Sequence, residues 1–255
     1  MILRLLALGF TLLAAAVSVP PHSPMLEFWP RGAWTLSESG NSTVATANSS
    51  TPVGMAFTFV GSAFTVDALW DVVSSANVTV DGVAMPVPVN LSSPMEGKLV
   101  AGLHSVNVSV VGGVRMAGVT LDGPTDLTQV DFTLDGELAV VDGLTLGGEW
   151  VVANGALAPY ALAEGQGKTY IAIELPENTV AFELRGLVAP GAGNFTIDIY
   201  PSKRPTFEGN TDSEVTDHTT LLYTVTLDRH ERYTVNISPT AGAIYLGSWG
   251  YALDW

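Results

Sequence analysis

The chain contains no cysteine. That excludes thiol nucleophiles, thiolate metal sites and disulfides, so its stability must come from buried apolar area and paired backbone. Charge is scarce too: 14% of residues are Asp, Glu, Lys or Arg, with only 10 basic against 25 acidic. A formal charge of -15 excludes a nucleic-acid footprint and docking on anionic lipid, both of which need clustered cations. Histidine is limited to four residues, which leaves few general bases for nucleophilic catalysis. Beyond the N-terminus no apolar run approaches the roughly 20 residues of a spanning helix, so the expected mature chain has no spanning membrane segment.

What is present begins with a targeting signal. Arg4 precedes an apolar run from Leu5 to Val17 that only Gly9 and Thr11 interrupt. Ala14, Ala16 and Ser18 then offer two Ala-x-small sites just before Pro20-Pro21, the grammar of a secretory signal peptide. We read residues 1–18 as that signal, with an uncleaved anchor as the alternative, and 19–25 as a flexible start containing His22. Secretion fits the asparagines. Seven of the ten open an Asn-x-Ser/Thr triplet without proline in the middle: Asn41, Asn48, Asn77, Asn90, Asn107, Asn194 and Asn236. Such triplets accept a glycan in the secretory compartment.

The rest reads as strands. Val, Ile, Thr and Phe alternate with small or polar residues in short runs separated by Gly, Pro, Asn and Asp. The order of runs occurs twice. Gly32-Ala-Trp34 matches Gly148-Glu-Trp150, Asn77-Val-Thr-Val-Asp81 matches Asn194-Phe-Thr-Ile-Asp198, and His104-Ser-Val-Asn107 matches Tyr233-Thr-Val-Asn236. The expected fold is all-β, two tandem antiparallel β-sandwich domains over 26–136 and 137–255, with a rigid apolar contact between them. Residues 202–218 read as a long acidic surface loop, and residues 129–134 as a closing strand of the first domain. Two sequon pairs fall at equivalent positions and orient their strands. If the glycan side faces out, then Val78, Val80, Val106, Val108, Val110, Phe195, Ile197, Val235 and Ile237 face in.

Phe57 to Val66, Val80-Asp81-Gly82, Val100-Ala-Gly-Leu-His104-Ser-Val and Val119-Thr-Leu-Asp122 together resemble a known pattern. It is that of the galactose-binding-like jelly-roll sandwich repeated in many secreted or surface proteins of filamentous fungi. The resemblance covers most of the first domain. The second departs from it, with Ile199 after Asp198 and Tyr233 in the place of His104. It implies a jelly roll and a role at the cell surface or wall. The same sandwich serves as sugar-binding module, adhesion unit or spacer.

No Gly-x-Ser-x-Gly elbow accompanies the histidines, so we expect no catalytic triad and no enzyme; a glycoside-active enzyme is the least favoured alternative. His104 is expected to pack or hydrogen-bond at a sandwich end. Trp34 and Trp150 read as sheet-edge plugs, and Trp29 as a pin for the N-terminal segment. For carbohydrate, an exposed aromatic platform is required. Candidate ligand-binding residues are Trp70 with Asp71 in an expected loop, where a tryptophan tucked over one end of the sandwich is the alternative, and Trp249, Tyr251 and Trp255 on the terminal strand, where burial is the favoured account. No cofactor is expected beyond a structural calcium, which needs only oxygens. Asp122 with Asp126, and Glu208, Asp212 and Glu214, are the loops rich enough to hold it. The expectation is a secreted, N-glycosylated surface protein of structural or interaction type, with a carbohydrate-binding module pair as the alternative. Its partners would be cell-surface or wall polysaccharide or protein, or further copies of itself. Expressed in a secreting host, the chain should start between Val17 and Val19, which N-terminal sequencing reads directly; a start at Met1 would refute cleavage and leave the uncleaved anchor.

Overall fold

Period-two alternation of apolar side chains dictates the architecture. In the computed structural model, which describes residues 16–39, 42–87, 94–123, 127–134, 137–139, 141–153, 156–159, 169–201 and 204–254, every sheet pairing between named strands is antiparallel. Asn41, Asn90, Asp126, Trp255 and the side chain of Asp71 lie outside the described residues.

The first sheet contains β1 (Ala16–Val19), β2 (Glu27–Trp29), β3 (Thr35–Ser39), β4 (Ser42–Val80), β5 (Val83–Met85) and β6 (Met95–Asp122). β4 and β6 are long ribbons that bend, and their register shifts mark the bends. The middle of β6, residues 106–116, is flanked on one side by 45–57 and on the other by 68–80. β2 extends this layer beside 54–56, and β5 closes it beside 78–80. Inward residues of both ribbons, among them Val53, Met55, Phe57, Phe59, Phe64, Val66, Val78, Val106, Val108, Val114 and Met116, share one apolar cluster. Phe57, Phe59 and Phe64 meet at centroid distances of 5.8–5.9 Å, a spacing suited to tilted and edge-on aromatic contact.

Two devices shape the ribbons. Asp81 and Gly82 both have positive φ, 52° and 77°, the geometry of a two-residue hairpin between paired strands. At the other device, residues 61–63, β4 changes register, and Asp122 holds the change. Its carboxylate accepts from the Ser62 N–H at 2.8 and 2.9 Å, the Ser62 hydroxyl at 2.5 Å and the Ala63 N–H at 3.0 Å. A Cβ on Gly61 would overlap the Asp122 Oδ1 atom, so only glycine lets the carboxylate reach the bend.

β7 (Thr128–Asp131), β8 (Thr133–Leu134) and β9 (Glu137–Leu138) follow. β8 and β9 form a small hairpin. β7 does not close the first sheet, as its apolar content led us to expect. It pairs with the last strand of the chain, and Phe132 is fully buried in the second cluster. Its partner edge lies far away in sequence, which local periodicity does not encode.

Two further sheets face each other around that second cluster. One has the order β10 (Leu144–Gly147), β13 (Tyr170–Glu174), β18 (Thr234–Ala241), β15 (Asn194–Tyr200), β16 (Phe207–Asn210). The other runs β11 (Trp150–Ala153), β12 (Ala156–Pro159), β19 (Tyr245–Leu253), β14 (Thr179–Val188), β17 (Asp217–Thr226). Phe182, Phe195, Ile171, Ile173, Ile197, Leu184 and Ile237 fill the space between them. The expected acidic loop at 202–218 is partly strand. β16 adds a fifth strand there because Phe207 reaches both clusters and lies 4.8 Å from Tyr223. Burial pushes the Tyr223 phenol up to about 12, so it stays neutral.

Apolar and polar contacts both join the two halves, with Phe207 packed on both clusters and Val60 of β4 packed on the second. Leu221 joins the first cluster while Leu222 joins the second, since successive strand residues face opposite ways. Around them Thr226 donates to the Val60 carbonyl at 3.2 Å, and Ser23 donates to the Leu221 carbonyl at 2.6 Å. His22, placed in a flexible start from sequence, is instead buried and hydrogen-bonds Asp217 at 2.9 Å. Polar partners on β17 hold it there, together with buried Met25 and Leu26. Glu183 is also buried at this seam, where desolvation raises its pKa and Arg185, 3.0 Å away, opposes the rise.

Replacing Asp122 with Ala strands three backbone and hydroxyl donors at the bend. The charged hydrogen bonds it removes are worth about 1.5–3 kcal/mol each before compensation by water, so urea unfolding should show a loss of about 2–3 kcal/mol. An unchanged midpoint would refute this role.

Candidate functional site

The residues singled out from sequence fall into three places. The first is the outer face of the first sheet. Asn77 and Asn107 are exposed, while Val78, Val80, Val106, Val108 and Val110 are buried. The two triplets run antiparallel side by side, with Asn77 opposite Ser109 and Thr79 opposite Asn107. In the second half Asn194 is exposed and Asn236 half-buried, with Phe195, Ile197, Val235 and Ile237 buried behind them. There Thr196 stands opposite Ser238, and Asp198 opposite Asn236. Asn48 is exposed on β4. Each described acceptor therefore projects from the side of its strand that faces away from a cluster.

The second place is the corner of the Asp81-Gly82 turn. His104 Nδ1 lies 2.8 Å from Asp81 Oδ2, and His104 Nε2 lies 2.7 Å from the Val100 carbonyl. The Ser105 N–H donates to Asp81 Oδ1 at 2.9 Å. Both imidazole partners are acceptors, so both ring nitrogens must carry hydrogen and the ring is an imidazolium. The hydrogen bond to Asp81 accordingly raises the His104 pKa, and the same bond, followed by that from Ser105, lowers the pKa of Asp81. An Asp–His pair of this kind suggests two members of a catalytic triad. Here the position a nucleophilic hydroxyl would need is taken by the Val100 carbonyl, and the pair fastens the turn to β6. That agrees with the hydrogen-bonding role read from sequence.

The third place is a set of aromatic and acidic candidates that the fold scatters. Trp70 is not on a loop. It lies on β4, inward like Phe64, Val66 and Ala68, and is buried in the first cluster. The alternation of those four residues contained this answer; the loop reading ended the strand at Val66-Asp67. Trp249 is likewise buried, between Phe182 at 6.3 Å and Tyr251 at 5.5 Å, with Tyr251 half-buried. Neither tryptophan offers an exposed platform. Trp34 is buried and Trp150 half-buried, and each indole N–H is spent on a nearby carbonyl, of Trp29 and Gly147 respectively. Trp29 lies across Gly54, where a Cβ would overlap its ring, and so holds β2 on the first sheet.

The calcium candidates are also dispersed. The Asp122 oxygens already face four hydrogen-bond contacts from the 62–63 turn, so a cation there would meet donors rather than a free carboxylate. Asp212 accepts from the Gly191 N–H at 2.7 Å, and Glu208 and Glu214 are exposed. Among the described residues no group of three or more acidic or histidine side chains is placed to hold a metal ion.

No protein-family model matches the chain, and no curated protein matches it. Solved structures give distant likenesses. A Paenibacillus xanthan lyase is 12% identical over 87% of this chain and 25% of its own, at a TM-score of 0.35. A two-domain esterase active on acetylated mannans is 11% identical over 52% of this chain and 40% of its own, at 0.33. A β-galacturonidase from Eisenbergiella tayi is 11% identical over 91% and 42%, at 0.25. The chain thus spans less than half the length of each, and likenesses this distant transfer no activity to it.

The Asp81–His104 pair predicts a specific pH response. The His104 contribution is complete below its ordinary 6.5 and disappears as pH climbs through the raised folded value. The Asp81 contribution is present above its ordinary 3.8 and is lost as pH falls through the lowered folded value. Melting from about pH 5 to about pH 9 should therefore show the wild type losing its advantage over Asp81→Asn in the alkaline half. A constant gap across that range would refute the imidazolium.

Proposed function

We propose that this is a secreted, N-glycosylated protein of the extracellular surface, built as tandem galactose-binding-like jelly-roll sandwiches and acting in structure or interaction rather than in catalysis. The observation that supports it most is the placement of the acceptors. Asn48, Asn77, Asn107 and Asn194 are exposed and Asn236 half-buried, and the flanking apolar residues are all turned inward. A glycan at each of these positions would leave the core untouched. The signal read at 1–18 supplies the compartment. Its expected cleavage region overlaps β1, whose Val17 and Val19 are buried against β6, so a start at Val17 keeps both side chains.

Carbohydrate recognition by a pair of modules has less support. Its aromatic candidates Trp70 and Trp249 are buried, and the remaining surface has no aromatic site repeated in both halves among the described residues. A wall or surface partner would meet the faces free of glycan.

Purification from a secreting, glycosylating host followed by peptide mapping should find sugar on at least the four exposed acceptors. The same protein, added to intact cells or wall fragments of its source, should be retained in the pellet. Bare asparagines throughout, or recovery entirely in the supernatant as a non-associating monomer, would remove this reading.

A further inference from the structure

The outer face of the first sheet carries, beside the acceptors, a half-exposed tryptophan that the fold has brought to them from far away in sequence. The registers place Trp29, Gly54, Ser109 and Asn77 in one row across four strands. The adjoining row on the same face is Glu27, Ala56, Asn107 and Thr79. Trp29 is on the edge strand and half-buried; its ring lies over Gly54, which offers no side chain to hold it away. Between this ring and Asn107 stand only Gly54, Ala56 and Ser109, the smallest side chains available. With strands about 4.8 Å apart and residues about 3.4 Å apart, Asn107 lies about 8 Å diagonally from Gly54, and Asn77 about 10 Å along its row.

We propose that this shelf is a docking site for the protein's own glycan. The first N-acetylglucosamine on Asn107 lies over Ala56 and Ser109 with its apolar face against the Trp29 indole that covers Gly54. The inference rests on the glycoprotein reading above and adds a defined contact to it. A pyranose ring has one face of C–H groups, which gains dispersion contact and sheds water against an indole. The ring packs over Gly54, and its backbone is held because β2 is paired through Trp29 and the Trp29 carbonyl accepts from the Trp34 indole N–H at 3.2 Å. Contact therefore costs little ordering entropy on the protein side. Glu27, exposed in the Asn107 row, can accept from a sugar hydroxyl or the acetamido N–H. Asn107 is the partner rather than Asn77 because it is one strand nearer the ring.

This arrangement makes the sugar an external brace on β2, the edge strand that leads into the 3-10 turn Arg31–Ala33. It also covers apolar ring surface that would otherwise stay wet on an exposed edge.

The test is a double-mutant cycle on protein secreted from a glycosylating host, with Asn107 occupancy measured by mass spectrometry. Ser109→Ala removes the glycan while keeping Asn107. We expect it to lower Tm by about 2–4 °C in the wild type and by almost nothing in a Trp29→Leu background, where an aliphatic side chain still covers the edge but offers no aromatic face. Enzymatic removal of the glycan from the folded wild type should reproduce the loss. The N-acetyl protons of the first sugar should shift upfield by the ring current in the wild type only. Occupied Asn107 with additive effects of the two substitutions and unshifted acetyl protons would overturn this contact and leave the glycoprotein reading standing. An unoccupied Asn107 would overturn both at this position.

Discussion

The fold rests on strand register. With no cysteine and few ion pairs in the core, the two apolar clusters hold together only while each strand keeps its alternate residues inside. A slip of one residue along β6 would expose Val106, Val108 and Val110 and bury Asn107 and Ser109. The structure fastens register at the points where slippage would begin. The Asp81-Gly82 turn fixes one end of the central layer, and His104 ties that turn to β6 through a charged hydrogen bond. Asp122 fixes the opposite bend by gathering the donors of residues 62–63. Both devices use a carboxylate on backbone N–H groups, the Asp81 bonds exposed and the Asp122 bonds part-buried.

The same alternation connects architecture to surface chemistry. A sequon has its own period of two, since Asn and Ser/Thr share a face while the middle residue takes the other. On a half-buried strand the middle residue becomes core and the acceptor becomes surface, as Val78, Val108, Phe195 and Ile237 show. Every described acceptor thus lies on a strand, on the side turned away from the apolar clusters.

Much of this was legible in the sequence, and the failures have physical reasons. Class and strand faces followed from composition and periodicity, which are local. The inward residues of the four sequon strands were read correctly because the acceptor fixes the sign of the alternation. Trp70 was misread, although its alternation with Phe64, Val66 and Ala68 pointed inward, because the strand was ended at Val66-Asp67. His22 was misread since its anchor, Asp217, lies in the other half of the chain. Residues 128–132 were assigned to the wrong half for the same reason, as their partner is the terminal strand. The strand at 207–210 was hidden by its acidic neighbours, and only Phe207 hinted at burial.

The sequence by itself determined the class, the inside and outside of its strands, the absence of disulfide and thiol chemistry, and the positions where sugar can be attached. Each of these depends on residue type and spacing within a few positions. The tertiary structure alone decided which strand lies beside which, and therefore which distant residues meet. It put Trp29 next to the Asn107 face, His22 on Asp217 and Asp122 on Ser62. The reason is that strand pairing is a long-range choice, made by the fit of whole sheets, whereas a side chain's face is set by its immediate neighbours.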